Sequence, residues 1–430
     1  MGEPSYPHYL QKCGWNALLP TRRSNLPLSN ELAVDLAIVG AGYTGIAAAK
    51  RWRELAPDDE IAIIDASEIG EGTPGRNSGF LIETTLASDA KPGQLQRMSQ
   101  CNQLIRQTMR KIAREVADSE IDCQLERTGL YRAAAGTVGH HSLRQYRAFL
   151  EAAGLRYEQI DRKTLRQRLG TNFYQEALYS PDCVMVQPAA LIRALAHNLR
   201  SDIQLFENTP ATAISKAGNV WLIETPEATI TARKVILANN AFSKMLGIGK
   251  SRLVIIYTYA GITRPLEESM LESLGSDDGW GILPAHRLGS TFRKTGEGRI
   301  LVRSSYGYEK EAEPEIISRK LKKYLLSRFP QLDDTPLDKV WGGATGLTMN
   351  GGILWGEVRP GLFASVGCNG GGVLKGTLFG ELLADLANGQ EVPDIPSLFG
   401  KASWIPPEPF RTVGFHMIAA LESFRGRAEI

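Results

Sequence analysis

Long apolar runs are missing from this 430-residue chain. A membrane-crossing helix needs about 20 consecutive apolar residues, and Asp35, Lys50 and Arg51 break the most hydrophobic region before that length is reached. The opening stretch, MGEPSYPHYLQKCGWN, lacks the basic-then-apolar order of an export signal. Neither sign of charge dominates. The 49 Lys and Arg against 47 Asp and Glu leave a net charge of +2, with no block of cations of the kind that tracks a nucleic-acid backbone. Five cysteines (Cys13, Cys101, Cys123, Cys183, Cys368) form no CxxC pair, and six histidines fall at no ligand spacing. Neither a disulfide framework nor a metal site is expected from such a scatter. Free thiols suit a reducing cytoplasm, which is the expected compartment. Internal repeats and low-complexity tracts are absent as well. What remains is an ordinary globular composition, long enough for two domains and a large core.

The first informative stretch is VDLAIVGAGYTG, residues 34–45. Val34 to Val39 is a short β-branched and apolar run of the kind found in buried parallel strands. It enters Gly40-x-Gly42-x-x-Gly45, a helical run IAAAKRWREL follows, and a second strand IAIID ends at Asp65, twenty residues after Gly45. Each part has a mechanical reason. Gly40 permits the tight turn, Gly42 lets a pyrophosphate reach the backbone, and Gly45 lets the helix pack on the strand. The helix N-terminus offers free N–H groups and a partial positive charge, and an acid at Asp65 accepts hydrogen bonds from ribose hydroxyls. A glycine-rich turn in some other α/β protein would account for the glycines alone, but not for strand, helix, strand and acid together. Dinucleotide binding is the expectation.

Directly after Asp65 comes ASEIGEGTPGRNSGFL, residues 66–81. With this segment the chain resembles the FAD-dependent oxidoreductases of the D-amino-acid oxidase type, a family that includes glycine and sarcosine oxidases, and it looks most like the γ-glutamylputrescine oxidoreductase-like members. The residues that carry the likeness are Gly40, Gly42, Tyr43, Thr44 and Gly45, then Ile69, Gly70, Gly72, Gly75, Arg76, Asn77 and Gly79. The resemblance implies noncovalent FAD, contacted by those two glycine segments and by Asp65, Ala66, Ser78 and Asn239. It also implies a discontinuous Rossmann-like α/β domain at about 30–85, 180–245 and 340–390. A substrate domain with a mainly antiparallel sheet would be built from 86–179 and 246–339. STFRKTGEGRILVRSSYGY (290–308) fits such a sheet, since TGEG between two strand-like runs reads as a hairpin turn.

GCNGGGVLKG, residues 367–376, is the second glycine-rich stretch. By the same resemblance, the strand LFASVG feeds this loop, and Gly370, Gly371, Gly372 and Val373 lie against the isoalloxazine ring, where a Cβ would push the ring away. The helix that follows would aim its N-terminus at the flavin pyrimidine edge and favour electron uptake. A second GxGxxG for a nicotinamide cofactor is lacking, so the electrons are expected from the substrate itself. The family passes a hydride from the carbon beside an amine to flavin N5, leaving an imine that hydrolyses.

One departure bears on the substrate. Glycine and D-amino-acid oxidases place a carboxylate-pairing arginine after the strand that corresponds to Val340–Trp341, whereas this chain reads WGGATG, with Ala344 and Thr345 there. That favours an amine, such as a γ-glutamyl-polyamine, over a simple α-amino acid. Arg293 and Lys375 remain as alternative cations for a secondary amino acid such as pipecolate or sarcosine. Glu83 is a candidate for a substrate ammonium, and Tyr257, Tyr306 and Tyr308 for an aromatic wall. Oxygen or an electron carrier would take the electrons onward; a dehydrogenase using a quinone, and a dinucleotide-binding protein without turnover, stand as alternatives. Two amphipathic helices complete the reading. Residues 94–117 would carry a solvated basic face, and 404–424 would pack on the body rather than serve a membrane surface or a dimer.

Overall fold

The computed structural model describes residues 6–85, 92–117 and 119–430. Two eight-stranded sheets organise it. The first runs, in order, through Leu354–Arg359, Leu362–Val366, Thr229–Leu237, Leu32–Val39, Ile61–Ile64 and Ile203–Phe206. Its pairings are parallel from Leu362–Val366 to Ile203–Phe206, and the edge strand Leu354–Arg359 and the hairpin Ala213–Ala217/Val220–Glu224 add antiparallel pairs. Residues 36–39 of the central strand are all buried, which is why they read as unbroken hydrophobicity rather than alternation.

Helix Tyr43–Leu55 covers this sheet through Ile46, Ala48, Ala49 and Trp52, all buried. Helix Leu374–Ala387 crosses it so closely that a Cβ on Gly380 would stand 2.1 Å from the Thr44 carbonyl oxygen, and one on Gly376 would stand 3.1 Å from Thr44 Oγ1. Two glycines one turn apart thus bring the N-termini of both helices together. This is how glycine motifs more than three hundred residues apart in sequence come to border one site.

The second sheet has the order Leu337–Leu347, Val254–Thr263, Ile300–Tyr308, Thr291–Lys294, Trp280–Pro284, Leu130–Ala134, Glu176–Ser180, Glu158–Asp161. It is antiparallel except where Trp280–Pro284 meets Leu130–Ala134. The TGEG hairpin is present: Thr291–Lys294 pairs with Ile300–Tyr308, and Gly298 takes the turn at φ 73°. Residues 340–347 belong to this sheet, so the chain rejoins the first sheet only at Leu354. A two-stranded pair, Phe80–Ile82 with Cys183–Met185, lies beside Gly281 of the second sheet, where a Cβ would meet Met185 and Phe80.

Helix Pro92–Ala117 carries buried Met98, Ile105, Met109 and Ile112 at helical spacing. Among the described residues no helix is long and apolar enough to cross a membrane.

Candidate functional site

Four backbone stretches converge where the two sheets meet: 40–45, 73–79, 343–348 and 367–373. Gly40 adopts φ 106°, and a Cβ there would touch Ala238 and Asn239 backbone at about 3 Å. A Cβ on Gly45 would lie 1.9 Å from the Gly40 carbonyl oxygen, so the helix packs directly on the turn. Gly42 is different in kind. Its extended backbone is unstrained, and a Cβ there would meet only Pro74 Cγ, at 3.0 Å. Space over Gly42 is what a pyrophosphate would use.

Asp65 directly follows the strand Ile61–Ile64 and is half-buried. Its carboxylate accepts from Ala41 N at 2.8 Å, Ser67 N at 2.9 Å and Ser67 Oγ at 3.1 Å. Burial pushes its pKa up, against these hydrogen bonds from Ser67 and Ala41. Tyr43 donates to the Pro74 and Pro188 carbonyls, both at 3.2 Å, so this family-motif tyrosine ties helix to loop. Ala66 begins the loop after Asp65, and Thr44 is taken up by the helix crossing.

In the 73–79 loop, Asn77 holds its own turn: Nδ2 donates to Pro74 O at 2.7 Å, and Oδ1 accepts from Gly79 N at 2.8 Å. Arg76 does not point into the site. Its guanidinium donates to the carbonyls of Glu71 (2.6 Å), Gly342 (2.8 Å) and Gln11 (2.9 Å), meets the Glu71 carboxylate at 3.3 Å, and stacks on the Tyr9 ring at 3.7 Å. The arginine of the motif is a clamp that fixes the glycine loop to the second sheet and to the start of the described chain. Ser78 offers its carbonyl to Arg293.

Gly367–Gly372 is held from two sides. Asn240, at φ 43°, accepts from Gly367 N (2.9 Å) and Cys368 N (3.3 Å) and donates to Cys368 Sγ (3.1 Å). Asn369, at φ 50°, accepts from Thr348 N and donates to the carbonyls of Gly351, Gly352 and Gly367. Asn239, the other asparagine of that turn, accepts from Ser243 Oγ at 2.6 Å. Gly370, at φ 82°, has nothing within 4 Å of where a Cβ would stand. A fixed loop with open space over its central glycine is a surface on which a flat ring can lie. Gly371 and Gly372 face Lys375 and Cys368 at 3.3 and 3.5 Å. Val373 starts the helix Leu374–Ala387, whose unpaired N–H groups point toward this loop.

The proposed substrate-binding charges fare unevenly. Glu83 is buried and engaged by Arg127 through both oxygens, at 2.5 and 3.2 Å, so its carboxylate already has a cation and the ammonium role is withdrawn. Arg293 is buried behind the Gly79 turn, where Nη1 donates to the Val186 (2.5 Å) and Ser78 (3.3 Å) carbonyls. Burial pushes its pKa down to about 10, and its Nε has no partner. A side chain so placed supports the loop rather than offering a fork to a carboxylate. Lys375 has no hydrogen-bond or ion-pair partner among the described residues; burial lowers its pKa, against the nearby Cys368 and Cys101. Of the tyrosines, Tyr257 is buried opposite Ala344, while Tyr306 and Tyr308 turn away toward Arg287 and Glu408.

Several residues that build the site carry no signal in their spacing. Tyr9 is bridged to Thr73 and Ala344, Cys13 N donates to Glu71, and Trp15 Nε1 donates to Asn77 O. The stretch 6–16 thus laces the glycine loop from outside.

These residues fit FAD: an acid placed for ribose, a turn open at Gly42, a helix N-terminus and a rigid glycine surface. Asp65→Asn is expected to weaken FAD binding about 10- to 100-fold, the worth of a hydrogen bond to a charged group. Titration of apoprotein with FAD by fluorescence checks it, and an unchanged affinity would remove Asp65 from the cofactor site.

Comparison with known proteins agrees with this fit. The chain is 28% identical over 87% of its length, and 88% of the relative's, to a probable oxidoreductase OrdL of Rhizobium meliloti. It is 25% identical to the γ-glutamylputrescine oxidoreductase of Escherichia coli, over 84% of this chain and 85% of the other. The crystal structure of glycine oxidase from Geobacillus kaustophilus superposes with a TM-score of 0.74 at 20% identity, covering 87% of this chain and all of that one. Residues 35–386 match the family described as FAD dependent oxidoreductase, and the chain belongs to that family.

Proposed function

We propose that this protein oxidises the C–N bond of a small amine, favouring a γ-glutamyl-polyamine-like substrate, to an imine that water hydrolyses. Bound FAD supplies the two-electron acceptor for the hydride. The protein's own part is to hold the cofactor and substrate in place and to keep the reacting carbon dry. A neutral amine is already primed to lose hydride, so little acid–base machinery is required.

The observation that carries the substrate choice is electrostatic. Among the described residues bordering the glycine loops, neither arginine is free to fork onto an α-carboxylate: Arg76 is spent on three carbonyls and Arg293 on two. Thr345 stands where related oxidases carry that arginine, and lies against Cys368 Sγ at 3.4 Å. One observation favours a second reading. The amine of Lys375, beside Gly371 and 5.9 Å from the Phe399 ring centre, has no hydrogen-bond or ion-pair partner among the described residues, and is a cation to which a secondary amino acid such as pipecolate could bind.

Anaerobic absorbance scans of the holoprotein separate the two. Bleaching of the oxidised flavin band by γ-glutamylputrescine, with sarcosine and pipecolate inert, is the expected result. Bleaching by the amino acids alone would overturn the amine reading and make Lys375 the suspected anchor. Oxygen uptake on readmitting air distinguishes an oxidase from a dehydrogenase that needs a quinone or carrier.

A further inference from the structure

Helix Phe410–Arg425 is amphipathic, and it is mounted the wrong way round for a soluble protein. The residues that meet the body come from its polar flank and one aromatic. Glu422 reaches His286 and Arg287, both at 3.3 Å, Arg411 Nε donates to Pro406 O at 2.9 Å, and Phe415 packs on the Tyr308 ring at 4.6 Å. The opposite face carries Phe410, Val413, Met417, Ile418, Leu421 and Phe424, each about half exposed or more. Phe410 and Phe424 are each 70% exposed and Met417 68%. No residue of this helix is buried. At 1.5 Å per residue the stripe from Phe410 to Phe424 is about 21 Å long.

Two large apolar side chains outside the helix are exposed as well. Trp404, on the segment leading into it, is 60% exposed, and Met349 is 73% exposed. The loop of Met349 is tied to the Trp404 segment by Asn350, which donates to Lys401 O and accepts from Ser403 N. A scatter of single exposed apolar residues needs no explanation, but a continuous stripe of this size marks an interaction site.

Charge decides what covers it. Residues 401–430 contain three carboxylates, and all are engaged. Glu408 binds Tyr308 and Thr412, Glu422 the His286–Arg287 pair, and Glu429 the Ala135 and Gly136 amides. The side chains of Lys250, Lys401, Arg425 and Arg427 are exposed; Arg425 also lies 3.9 Å from Glu422, and the Arg427 guanidinium sits over the Phe424 ring at the edge of the stripe. A second copy of the chain would bring four exposed cations to the seam against one half-exposed acid of residues 401–430, Glu408, which already holds Tyr308, Thr412 and Arg411. An anionic lipid surface meets all of them, while the Phe, Met, Ile and Leu side chains enter the headgroup–acyl boundary and Trp404 sits at headgroup level. From the inverted mounting of this helix and the sign of its border, we infer that residues 404–427 form an in-plane anchor by which the protein docks on an anionic bilayer.

The loop of Met349 is joined to the glycine loop 367–372. Asn369 of the flavin loop donates to Gly351 and Gly352 in the loop that carries Met349.

Co-sedimentation of the flavin-loaded full chain with vesicles of phosphatidylcholine, with and without phosphatidylglycerol, tests the inference. The expected result is binding to the anionic vesicles that weakens as salt is raised. In Met417→Glu/Phe424→Glu it should fall at least ~10-fold, since each substitution puts a charge where an apolar group must enter the bilayer. Both side chains are exposed, so the flavin band and melting temperature of that variant should match the parent. Arg425→Glu/Arg427→Glu should lose the preference for anionic vesicles. Failure of the parent to sediment, or equal sedimentation of the Met417/Phe424 variant, would overturn the anchor. So would a parent that is dimeric by light scattering and made monomeric by the same variant without vesicle binding, which would assign the stripe to a second copy.

Discussion

Gly45→Ala should give a protein that carries no flavin and is grossly destabilised, whereas Gly42→Ala should fold and lose only the cofactor. The two glycines share one motif but have different surroundings. A Cβ at position 45 would be 1.9 Å from the Gly40 carbonyl oxygen and 3.2 Å from Ile38 Cγ2. Relief requires the helix Tyr43–Leu55 to move by more than an ångström off a sheet in which Leu36–Val39 and Ile61–Ile64 are all buried, and the same helix is pinned by Gly380 against Thr44. A core displacement of this kind belongs to the rare class of substitutions that cost above about 4 kcal/mol. At position 42 the nearest atom is a proline ring carbon at 3.0 Å, and the backbone is one that any residue adopts. The folded apoprotein accommodates that methyl, and the pyrophosphate does not, so FAD affinity should fall by roughly 100-fold, about 2.7 kcal/mol. The ratio of flavin to protein absorbance after FAD addition, read beside a circular-dichroism melt, distinguishes the two. A Gly42→Ala protein that still retains flavin through gel filtration would mean that the cofactor does not approach this turn.

The same contrast shows what sequence can and cannot convey. GxGxxG, the strand before it and the acid twenty residues later were legible because each obeys a backbone requirement that only one or two residue types satisfy. The late glycine loop was legible for the same reason. Arg76 and Glu83 were not. Their types suggest charge in a pocket, but a long side chain reaches several ångströms in any direction, and its target is set by tertiary contacts. Arg76 turns to the carbonyls of Gln11 and Gly342, and Glu83 to Arg127. Asn239 and Asn240 both have a residue type that tolerates positive φ, and only the fold shows that Asn240 is the one that meets Gly367. The stretch 6–16 carries no period at all, because its Tyr9, Cys13 and Trp15 each answer a separate partner. Helix 410–425 illustrates a subtler limit. Amphipathic spacing states that a helix has two faces, and burial of the apolar one is an assumption added to it. Here Phe415 and Glu422 face the body and Phe424 faces outward.

Arg76→Leu is expected to lower stability by about 3–5 kcal/mol, the range for removing one partner of a buried charged network. The guanidinium satisfies the Glu71, Gly342 and Gln11 carbonyls at 2.6 to 2.9 Å, and stranding buried acceptors costs about 1–3 kcal/mol each when water cannot replace the donor. Glu71 itself keeps the Asn16 amide and the Cys13 N–H, so it is not left wholly bare. The Tyr9 face loses its cation at 3.7 Å as well, worth about 0.5–2 kcal/mol. For a chain of this length the melting temperature should drop by roughly 5 °C, with Arg76→Lys recovering only part, because an ammonium cannot span three carbonyls as a planar fork does. The consequence for catalysis discriminates between a clamp and a binding group. A clamp loosens the 71–79 loop, so FAD affinity falls together with stability, while KM for the amine stays near the parent value once FAD is saturating. A guanidinium that reached the substrate would instead leave melting and FAD affinity intact and raise KM. Thermal melts and steady-state kinetics on the two variants, each assayed with excess FAD, therefore decide whether the Arg76 charge acts on the substrate or on the 71–79 loop.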